Sequence, residues 1–587
     1  MTTVPGSSAA GPQLPLSPNP AHDHRSRQFS CRAHSSPSPS SPQYPQHRHP
    51  MYAHFPQTNQ LTALLQAHGI TDVVACPGSR NAPLLHDFKQ AGLCLHAVTD
   101  ERSAAFVALG IGLATERATA VCVTSGSALL ATLPAVAEAY YRHRPLLVVS
   151  ADRPAQWIGQ YDGQTLPQRG ALQPYALTFD LFEPHTSELH WANNRLINAA
   201  LLALREAGGG PAHLNVPLSE PLFDFTTETL PQERAISRIT PAAHRPLPQE
   251  LVQHIAEARL PALIVGQYEE GDLRAVSEAL DRQEQLLVLP EILADIKGSL
   301  RMEVFDNLPD NRPDLLPDLV LQAGGNFIHK RFKQKLRQSS CRVIRLSLDR
   351  ELTDTFCHLD TEVACAPLPV LQQLAAELPA RHEGVRRAQA FYQQACLRYR
   401  LPVPSTESSM MQAFGALRTV LSETSTGYTL HLGNSSTVRV ASRIFESGDF
   451  PIFANRGTNG IEGSLSTAVG YALKMWGPSI VVLGDLSFFY DANALWNTHL
   501  PPNLRILLLN NHGGGIFHQL PGLADSPAMG EFISAGRQPF TAEGLARTFN
   551  LDYHCVESTE AFVPAMRQWL QAEGRAQLLE VALPPCP

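Results

Sequence analysis

The sequences IVVLGDLS at Ile480–Ser487 and LRILLLNNHGGG at Leu504–Gly515 decide the fold of this chain. Each begins with a largely apolar run and ends in small or oxygen-bearing residues. Such a run, followed by such a turn, predicts a parallel strand that is buried on both faces and leads into a helix. Asp485 and Asn511 then lie at the carboxyl ends of two neighbouring predicted strands.

The side chains of Asp485 and Asn511 offer two hard oxygen ligands. The bare glycine backbone and the helix N-terminus beside them can receive a phosphate group. When only a few protein oxygens bind a hard divalent ion, oxygens of substrate phosphates usually complete its coordination. The two residues together therefore predict a magnesium–diphosphate clamp, although either half alone is more simply explained as a helix cap or a glycine-rich turn.

Length and composition limit the class of protein. A chain of 587 residues exceeds what one hydrophobic core fills, which predicts about two to four domains. Hydrophobic content of 44% and charged content of 17% are typical of a soluble globular protein, and a net charge of −8 gives no basis for binding nucleic acid. No apolar stretch reaches the roughly 18 residues of a membrane span. The ten cysteines are scattered without a CxxC pair, which favours buried free thiols and a cytoplasmic location.

The segment 1–50 differs from the remainder of the chain. It is rich in Pro, Ser and His, shows no apolar periodicity, and is expected to be disordered. Its arginines and serines loosely suggest an organellar transit peptide. We favour a simpler interpretation, in which the segment is a mis-called N-terminal extension and Met51 is the initiator.

From Asn59 onward, predicted helices and strands alternate. The polar sequences PGSR, TSGS, SADRP, GDLS and NNHGGG each follow a predicted strand. Alternation predicts parallel sheets with helices on both faces, and ligands bind such sheets at the carboxyl ends of the strands. We expect an α/β protein with three doubly wound parallel-sheet domains at 51–230, 245–375 and 400–587, of which the first and third are alike in architecture.

Seven motifs are distributed over about residues 55–585. They are CPGSRNAP (76–83), DERSAAF (100–106), SADRP (150–154), GNSSTVR (433–439), NRGTNGIEGSLSTA (455–468), GDLSFFYDANAL (484–495) and NNHGGGIF (510–517). Together they resemble the thiamin-diphosphate-dependent decarboxylase superfamily, and within it they are most similar to the 2-succinyl-5-enolpyruvyl-6-hydroxy-3-cyclohexene-1-carboxylate synthases of menaquinone biosynthesis. The resemblance implies that the three domains are pyrimidine-binding, central and diphosphate-binding.

The resemblance makes Glu101 the catalytic residue. Its carboxylate is expected to bind the pyrimidine ring and favour the imino tautomer, through which the amino group of the cofactor takes the C2 proton. Glu101 begins a largely apolar predicted helix that includes Ala104 and Phe106. A carboxylate in such surroundings is desolvated and shares a proton readily. The alternative is a glutamate that the helix dipole favours and that pairs with Arg102.

The resemblance also implies the cofactor and metal ligands. Mg²⁺ or Mn²⁺ is expected on Asp485, Asn511 and Gly513. Ile461 either holds the cofactor bent or is an ordinary core residue. The residues expected at thiamin diphosphate are Glu101, Gly433, Asn434, Ser435, Ile461, Gly484, Leu486, Ser487 and Asn511.

Cations at the predicted strand ends indicate the substrate. Any one arginine there is ordinarily a solubility charge, but several that converge suit dicarboxylates, which a guanidinium binds bidentately. The resemblance implies 2-oxoglutarate and isochorismate, and Lys330 and Arg331 are expected in the loop after the predicted strand 319–323. Gly163 stands where some members carry Asn, and His512 where Asn or Asp is usual. The expected substrate-binding residues are Ser79, Arg80, Arg153, Gln164, Lys330, Arg331, Ser435, Arg439, Arg456, Phe517 and Leu520.

The expected reaction is decarboxylation of 2-oxoglutarate followed by conjugate addition of the succinyl-semialdehyde carbanion equivalent to isochorismate. The main alternative is another thiamin-diphosphate-dependent carboligase, similar to acetolactate synthase, and a binding module or a dinucleotide dehydrogenase fits the motifs less well. The resemblance further implies a homodimer or homotetramer with the active site between subunits. We expect neither a nucleic-acid partner nor a membrane span.

Overall fold

The computed structural model describes residues 51–585, except 206–208, 240–245, 303–304, 306–307, 309–311, 350, 399–404, 521, 524 and 537. Only the backbone is described for 395–398 and 405–407. The interpretation of the segment 1–50 lies outside the described residues.

The first sheet has six parallel strands in the order β2-β1-β3-β4-β6-β5. Its inner strands are fully buried because Val, Ala and Leu occupy both faces, as in β3 and β4. The elements are α1 Pro56–Ala67, β1 Asp72–Ala75, α2 Ala82–Gln90, β2 Cys94–Ala97, α3 Glu101–Thr115, β3 Thr119–Val123, α4 Ser127–Ala131, α5 Leu133–Tyr141, β4 Leu146–Asp152, β5 Leu177–Asp180, α6 Ser187–Ala203 and β6 Ala212–Pro217.

The central sheet has five parallel strands in the order β11-β10-β9-β7-β8. Apolar clusters cover both of its faces. The elements are α7 Gln249–Glu257, β7 Pro261–Val265, α8 Arg274–Arg282, β8 Leu287–Pro290, β9 Leu319–Ala323, α9 Lys330–Gln338, β10 Arg342–Leu346, β11 Leu359–Val363, α10 Pro367–Glu377 and α11 Glu383–Arg398.

The third sheet has six parallel strands in the order β13-β12-β14-β15-β17-β16. Numbered along its own chain segment, this is the strand order of the first sheet, as the sequence predicted. The elements are α12 Ser405–Ser422, β12 Thr429–Leu432, α13 Ser436–Ile444, β13 Ile452–Ala454, α14 Ser464–Ala472, β14 Ser479–Gly484, α15 Asp485–Tyr490, β15 Leu504–Asn510, α16 Glu543–Thr548, β16 Asp552–Val556, α17 Thr559–Gln571 and β17 Gln577–Ala582.

The first and third sheets share one apolar core through the helices α3 and α14. A Cβ atom on Gly110 would lie 2.0 Å from the carbonyl oxygen of Thr467, and one on Gly470 would lie 2.1 Å from that of Val107. Glycine at both positions therefore lets the two helix backbones touch. This contact fixes how the carboxyl edges of the two sheets lie within one chain.

Candidate cofactor and substrate site

The clamp residues meet at the carboxyl ends of β14 and β15. These strands pair directly, with Gly484 opposite Leu509, so Asp485 and Asn511 follow neighbouring strands. One terminal atom of the Asn511 amide lies 3.2 Å from Asp485 Oδ1 and 3.0 Å from the carbonyl oxygen of Gly513. If this atom is the amide nitrogen, it donates hydrogen bonds to both of these oxygens. If it is the amide oxygen, three oxygen atoms, from Asp485, Asn511 and Gly513, lie together as ligands for a cation. Octahedral Mg²⁺ holds neighbouring oxygens about 3 Å apart, because its bonds are about 2.1 Å long.

The Asp485 carboxylate fits a cation in its burial as well as its position. The residue is 2% exposed, and its Oδ2 atom is buried without a hydrogen-bond partner. Burial raises the pKa of Asp485 to about 6, against the lowering effect of backbone hydrogen bonds from Leu486 and Gly513. A buried carboxylate oxygen without a partner is costly unless a cation compensates it. The donor set therefore fits a divalent ion.

The turn after Asn511 explains the two residues that follow. Gly513 has a φ of 154°, and a Cβ atom there would lie 2.7 Å from the Cα atom of Gly536. His512 Nδ1 lies 2.7 Å from the carbonyl oxygen of Gln538, and its backbone N–H donates to Asn510 Oδ1. The His512 ring therefore contacts the backbone that covers the turn.

The segments 433–435 and 455–461 both carry residues that the sequence assigned to the cofactor. They contact each other, and the second also contacts Ser487, close to the clamp. Ser487 Oγ donates to the carbonyl oxygen of Ile461 at 2.6 Å, and Ile461 is half-buried. Asn434 Nδ2 donates to the carbonyl oxygens of Asn455 and Gly460 at 2.6 Å each. These bonds join the segment 433–435 to the segment 455–461, and the latter to the start of α15.

Ser435 has an unusual backbone conformation at the start of α13. Its φ is 71° and its ψ is −130°, in a region that favours glycine. Residues held in such conformations cost roughly 1–3 kcal/mol and cluster at functional sites. The strain at Ser435 supports a functional role for the GNSS turn.

Glu101 is the first residue of α3, but it does not cap the helix. Asp100 does so, because its side chain accepts hydrogen bonds from the backbone N–H groups of Arg102 and Ser103. The suggested pairing of Glu101 with Arg102 is wrong: Arg102 donates to the carbonyl oxygen of Tyr490 and stacks on its ring. The Glu101 carboxylate is half-buried and makes no hydrogen bond or ion pair within the described residues. Nothing in this part of the chain joins it to Asp485 or Asn511.

Arg456 and Arg439 lie beside the GNSS turn. Arg456 is 6% exposed and donates to the amide oxygens of Asn434 at 3.1 Å and Asn326 at 3.4 Å, while its Nε is buried without a partner. Burial, and then the nearby charge of Arg439, lowers the pKa of Arg456 to about 10. Its hydrogen-bond partners are neutral, although the charges of Glu291 and Glu138 also act on it and favour its protonated form. A buried cation with neutral hydrogen-bond partners and a like charge beside it can bind an anion.

Three of the predicted cations are not in the expected loops. Arg439 lies within α13, where it donates to the carbonyl oxygen of Ser435 at 2.6 Å. Lys330 and Arg331 are the exposed first residues of α9, because the chain turns into this helix directly after His329. Sequence reasoning missed Lys333 on the same helix. It is half-buried, and burial together with the nearby charges of Arg337 and Arg456 lowers its pKa.

Arg80 and Arg153 follow β1 and β4 in the first domain, as predicted. Arg80 donates to the carbonyl oxygen of Leu218 and to Glu220 Oε1, at 2.9 Å each. Arg153 lies 3.4 Å from the same Glu220 oxygen and 3.4 Å from Asp162 Oδ2. The two cations therefore lie close together, and each forms an ion pair with a carboxylate of the same chain.

The other predicted substrate residues border these groups. Ser79 and Gln164 are exposed, and the Gln164 carbonyl oxygen lies against Gly126 of the TSGS turn. Phe517 lies in the 3₁₀ helix Gly515–Gln519, and Leu520 caps its end with 42% exposure. Gly163 contributes a backbone contact, since its carbonyl oxygen accepts from Arg153 Nε at 3.3 Å.

A buried ionic group that sequence reasoning missed holds the loop that carries Arg456. Glu138 of α5 is fully buried and lies within 3.6 Å of Arg142, whose side chain is 2% exposed. Arg142 also pairs with Glu269 of the central domain and donates to Asn455 Oδ1 at 2.9 Å. One charged pair within the apolar sequence LPAVAEAYYR was the available signal. The group joins all three domains.

Comparisons with known proteins identify the fold and the class of this chain. Residues 57–176 match the family described as thiamine pyrophosphate enzyme, N-terminal TPP binding domain. A Rhodococcus jostii thiamine diphosphate-dependent 4-hydroxybenzoylformate decarboxylase superposes with a TM-score of 0.67, covering 90% of this chain and 99% of its own at 19% identity, which supports the fold. The chain is thus an enzyme of the thiamin-diphosphate-dependent class.

Curated relatives narrow this class. Proteins named 2-succinyl-5-enolpyruvyl-6-hydroxy-3-cyclohexene-1-carboxylate synthase from Bacteroides thetaiotaomicron and Phocaeicola vulgatus are 41% and 39% identical, each over 90% of this chain and 96% of their own length. The one from Cytophaga hutchinsonii is 33% identical over 89% of this chain and 95% of its own. This chain belongs to the 2-succinyl-5-enolpyruvyl-6-hydroxy-3-cyclohexene-1-carboxylate synthase family.

No helix in the described part of the chain has both the length and the apolar character that a bilayer span needs.

Proposed function

We propose that this chain decarboxylates 2-oxoglutarate on thiamin diphosphate and adds the resulting succinyl-semialdehyde unit to isochorismate, in menaquinone biosynthesis in the cytoplasm. The observation that carries the proposal is the position of Arg456. Arg456 is buried beside Arg439, and its hydrogen-bond partners Asn434 and Asn326 are neutral; Asn434 belongs to the strained GNSS turn. A dicarboxylate would give Arg456 a direct ionic partner.

The residues assigned to the cofactor have distinct roles. Asp485, Asn511 and Gly513 would hold Mg²⁺ or Mn²⁺, and the ion would supply positive charge for the diphosphate. Gly433, Asn434, Ser435, Gly484, Leu486 and Ser487 line the place where the diphosphate and the thiazolium ring would lie, and Ile461 supplies the apolar contact. Thiamin diphosphate, when bound, supplies the carbon nucleophile and electron sink that allow a 2-oxo acid to lose CO₂.

The remaining cations separate the two substrates by domain. Arg439 and Arg456 in the third domain would bind the carboxylates of 2-oxoglutarate. Arg80 and Arg153 in the first domain, with Lys330 and Arg331 in the central domain, would bind isochorismate. Ser79, Gln164, Ser435, Phe517 and Leu520 would complete the walls of the pocket. Guanidinium groups suit both substrates because each substrate carries two carboxylates.

Glu101 is the basis for an assembly of at least two subunits. Its carboxylate makes no hydrogen bond or ion pair within the described part of one chain, and the resemblance implies that it binds the pyrimidine ring of a cofactor whose diphosphate another subunit holds. We infer that Glu101 of one subunit acts with the clamp of another, in a homodimer or homotetramer. We retain the domain limits 51–230, 245–375 and 400–587.

The test is incubation of the purified protein with 2-oxoglutarate, isochorismate, thiamin diphosphate and Mg²⁺, with products identified by mass. We expect the mass of 2-succinyl-5-enolpyruvyl-6-hydroxy-3-cyclohexene-1-carboxylate and release of CO₂. The matched control replaces 2-oxoglutarate with pyruvate, which lacks the distal carboxylate. If the protein forms acetolactate from pyruvate but no product from 2-oxoglutarate and isochorismate, it is instead an acetolactate-synthase-like enzyme.

A further inference from the structure

Arg80 and Arg153 approach the same atom, Oε1 of Glu220. The distance from Arg80 is 2.9 Å and that from Arg153 is 3.4 Å. Arg80 follows β1, Arg153 follows β4 and Glu220 follows β6, so all three lie at the carboxyl edge of the first sheet. The sheet thus brings two cations together around one carboxylate oxygen.

The exposed partner in this cluster is the carboxylate. The Glu220 side chain is 64% exposed, whereas the Arg80 side chain is 7% exposed. The hydrogen bond from Arg80 is the main cause that lowers the pKa of Glu220, so Glu220 is charged at neutral pH. Within the described residues, no other group pairs with the Glu220 carboxylate. Glu220 therefore covers Arg80 and, as an exposed side chain, has room to move away from it.

A ligand carboxylate cannot share this position with Glu220. Two carboxylates at one pair of guanidinium groups repel each other, and like charges in contact weaken binding. Glu220 is tethered to the end of β6, so its effective concentration at the two arginines is high. An incoming carboxylate must therefore displace the Glu220 side chain before it can contact both arginines, although Asp162 Oδ2 remains 3.4 Å from Arg153.

We propose that Glu220 is an internal competitor for the carboxylate site of Arg80 and Arg153, and that the acceptor substrate binds by displacing it. This inference rests on the proposed function, which assigns both arginines to the acceptor. Glu220 then determines specificity as well as affinity. A monocarboxylate gains too little to displace it, whereas a dicarboxylate makes a second contact that offsets the lost internal pair.

The test compares Glu220→Gln with the wild-type holoenzyme at saturating 2-oxoglutarate. Glutamine keeps the shape of the side chain and removes its charge. We expect the KM for isochorismate to fall roughly two- to fivefold, on the scale of an ion pair with one exposed partner. The KM for 2-oxoglutarate should not change. Benzoate, as a monocarboxylate probe, should inhibit the variant more strongly than the wild type, in competition with isochorismate.

Two controls separate competition from other effects. Glu228→Gln removes the same charge from an exposed residue of the same connection and should leave both KM values unchanged. Glu220→Asp shortens the side chain but keeps its charge, and should give an intermediate KM for isochorismate. If Glu220 instead orients Arg80, both Glu220 variants will raise this KM.

The outcomes also separate this inference from the proposed function. If the wild type forms no product from isochorismate, the proposed function is wrong and the role of Glu220 falls with it. If the wild type forms product but the KM of Glu220→Gln for isochorismate is unchanged or raised, the proposed function stands and the competitor role alone is wrong.

Discussion

The Glu138 carboxylate binds Thr458 twice, across the boundary between the first and third domains. Glu138 Oε2 accepts from the backbone N–H of Thr458 at 2.7 Å and from its hydroxyl at 3.0 Å. The other oxygen accepts from the backbone N–H of Gly457 at 2.9 Å. These residues directly follow Arg456, so a buried acid in one domain sets the position of Arg456 in another.

Glu138→Gln should therefore weaken the binding of 2-oxoglutarate. An amide cannot accept all three hydrogen bonds with both of its terminal groups, and Arg142 loses charge compensation. Hydrogen bonds to charged groups contribute about 1.5–3 kcal/mol each, so we expect the KM for 2-oxoglutarate to rise about tenfold or more. Pyruvate, which lacks the distal carboxylate, should serve as a control donor with an unchanged KM. An equal rise for both donors would mean that Glu138 only stabilises the fold.

Glu101→Gln should fold and bind thiamin diphosphate but lose most of its activity. A neutral amide cannot exchange a proton with the pyrimidine ring as a carboxylate does. The loss should be about 10²–10⁴-fold, the usual range for a general acid or base. The checks are the rate of carboligation and, separately, the affinity for the cofactor by tryptophan fluorescence. Near-native turnover would remove Glu101 from the mechanism.

Asp485→Ala should abolish metal-dependent binding of the cofactor, because the diphosphate would face the protein without its bridging cation. Thermal unfolding distinguishes this from a damaged fold. The Asp485 carboxylate is buried with an unpartnered oxygen, so the variant without ligands should be at least as stable as the wild type without ligands. Added thiamin diphosphate and Mg²⁺ should raise the melting temperature of the wild type only. An unchanged cofactor affinity in a Mg²⁺ titration would place the diphosphate elsewhere.

Mixing two inactive variants tests whether the site lies between subunits. Subunits with Glu101→Gln and subunits with Asp485→Ala should each be inactive alone. After random reassembly in equal amounts, about half of the dimers are mixed and one of their two sites is intact, so about one quarter of the wild-type activity should return. No recovery, although mass spectrometry detects mixed dimers, would place the complete site within one chain.

The cations should divide into two groups when each is replaced by Ala. In the Arg439 and Arg456 variants, single-turnover decarboxylation of 2-oxoglutarate should be slower. The loss corresponds to about 2–5 kcal/mol of binding free energy, because a substrate carboxylate is left unpaired. Arg80, Arg153, Lys330 and Arg331 variants should retain decarboxylation and lose carboligation. Replacement of Arg439 or Arg456 by Lys should be intermediate, because the charge remains but the bidentate geometry is lost. If all six variants keep wild-type rates in both assays, these residues do not bind substrate and only contribute surface charge.

The sequence predicted several buried strands of the three sheets, but not the buried strands β6, β12 and β17. β9 was predicted with its observed bounds, and β14 and β15 within one residue at each end, because apolar residues fill both faces of these strands. The edge strands β2 and β16 were not predicted. One of their faces is exposed, so they have no continuous apolar run.

The candidate site was predictable only where chemistry is local in sequence. Asp485 and Asn511 could be placed together because parallel neighbouring strands end at the same edge. The Glu138–Thr458 contact could not, since 320 positions separate the two residues and nothing in either local pattern identifies the other. Arg439 was expected in a loop, but α13 begins at Ser436, directly after Ser435. Ser435 is the N-cap of this helix, although it has a positive φ and its side chain makes no capping hydrogen bond.

The close approach of α3 and α14 at Gly110 and Gly470 affects how the protein melts. Because the backbones of α3 and α14 touch at these two glycines and share one apolar core, neither the first nor the third sheet can lose its tertiary structure without exposing the other. The two sheets should therefore unfold as a single cooperative unit, although the central sheet separates them in sequence. Heat should not release one of them as an independently folded fragment.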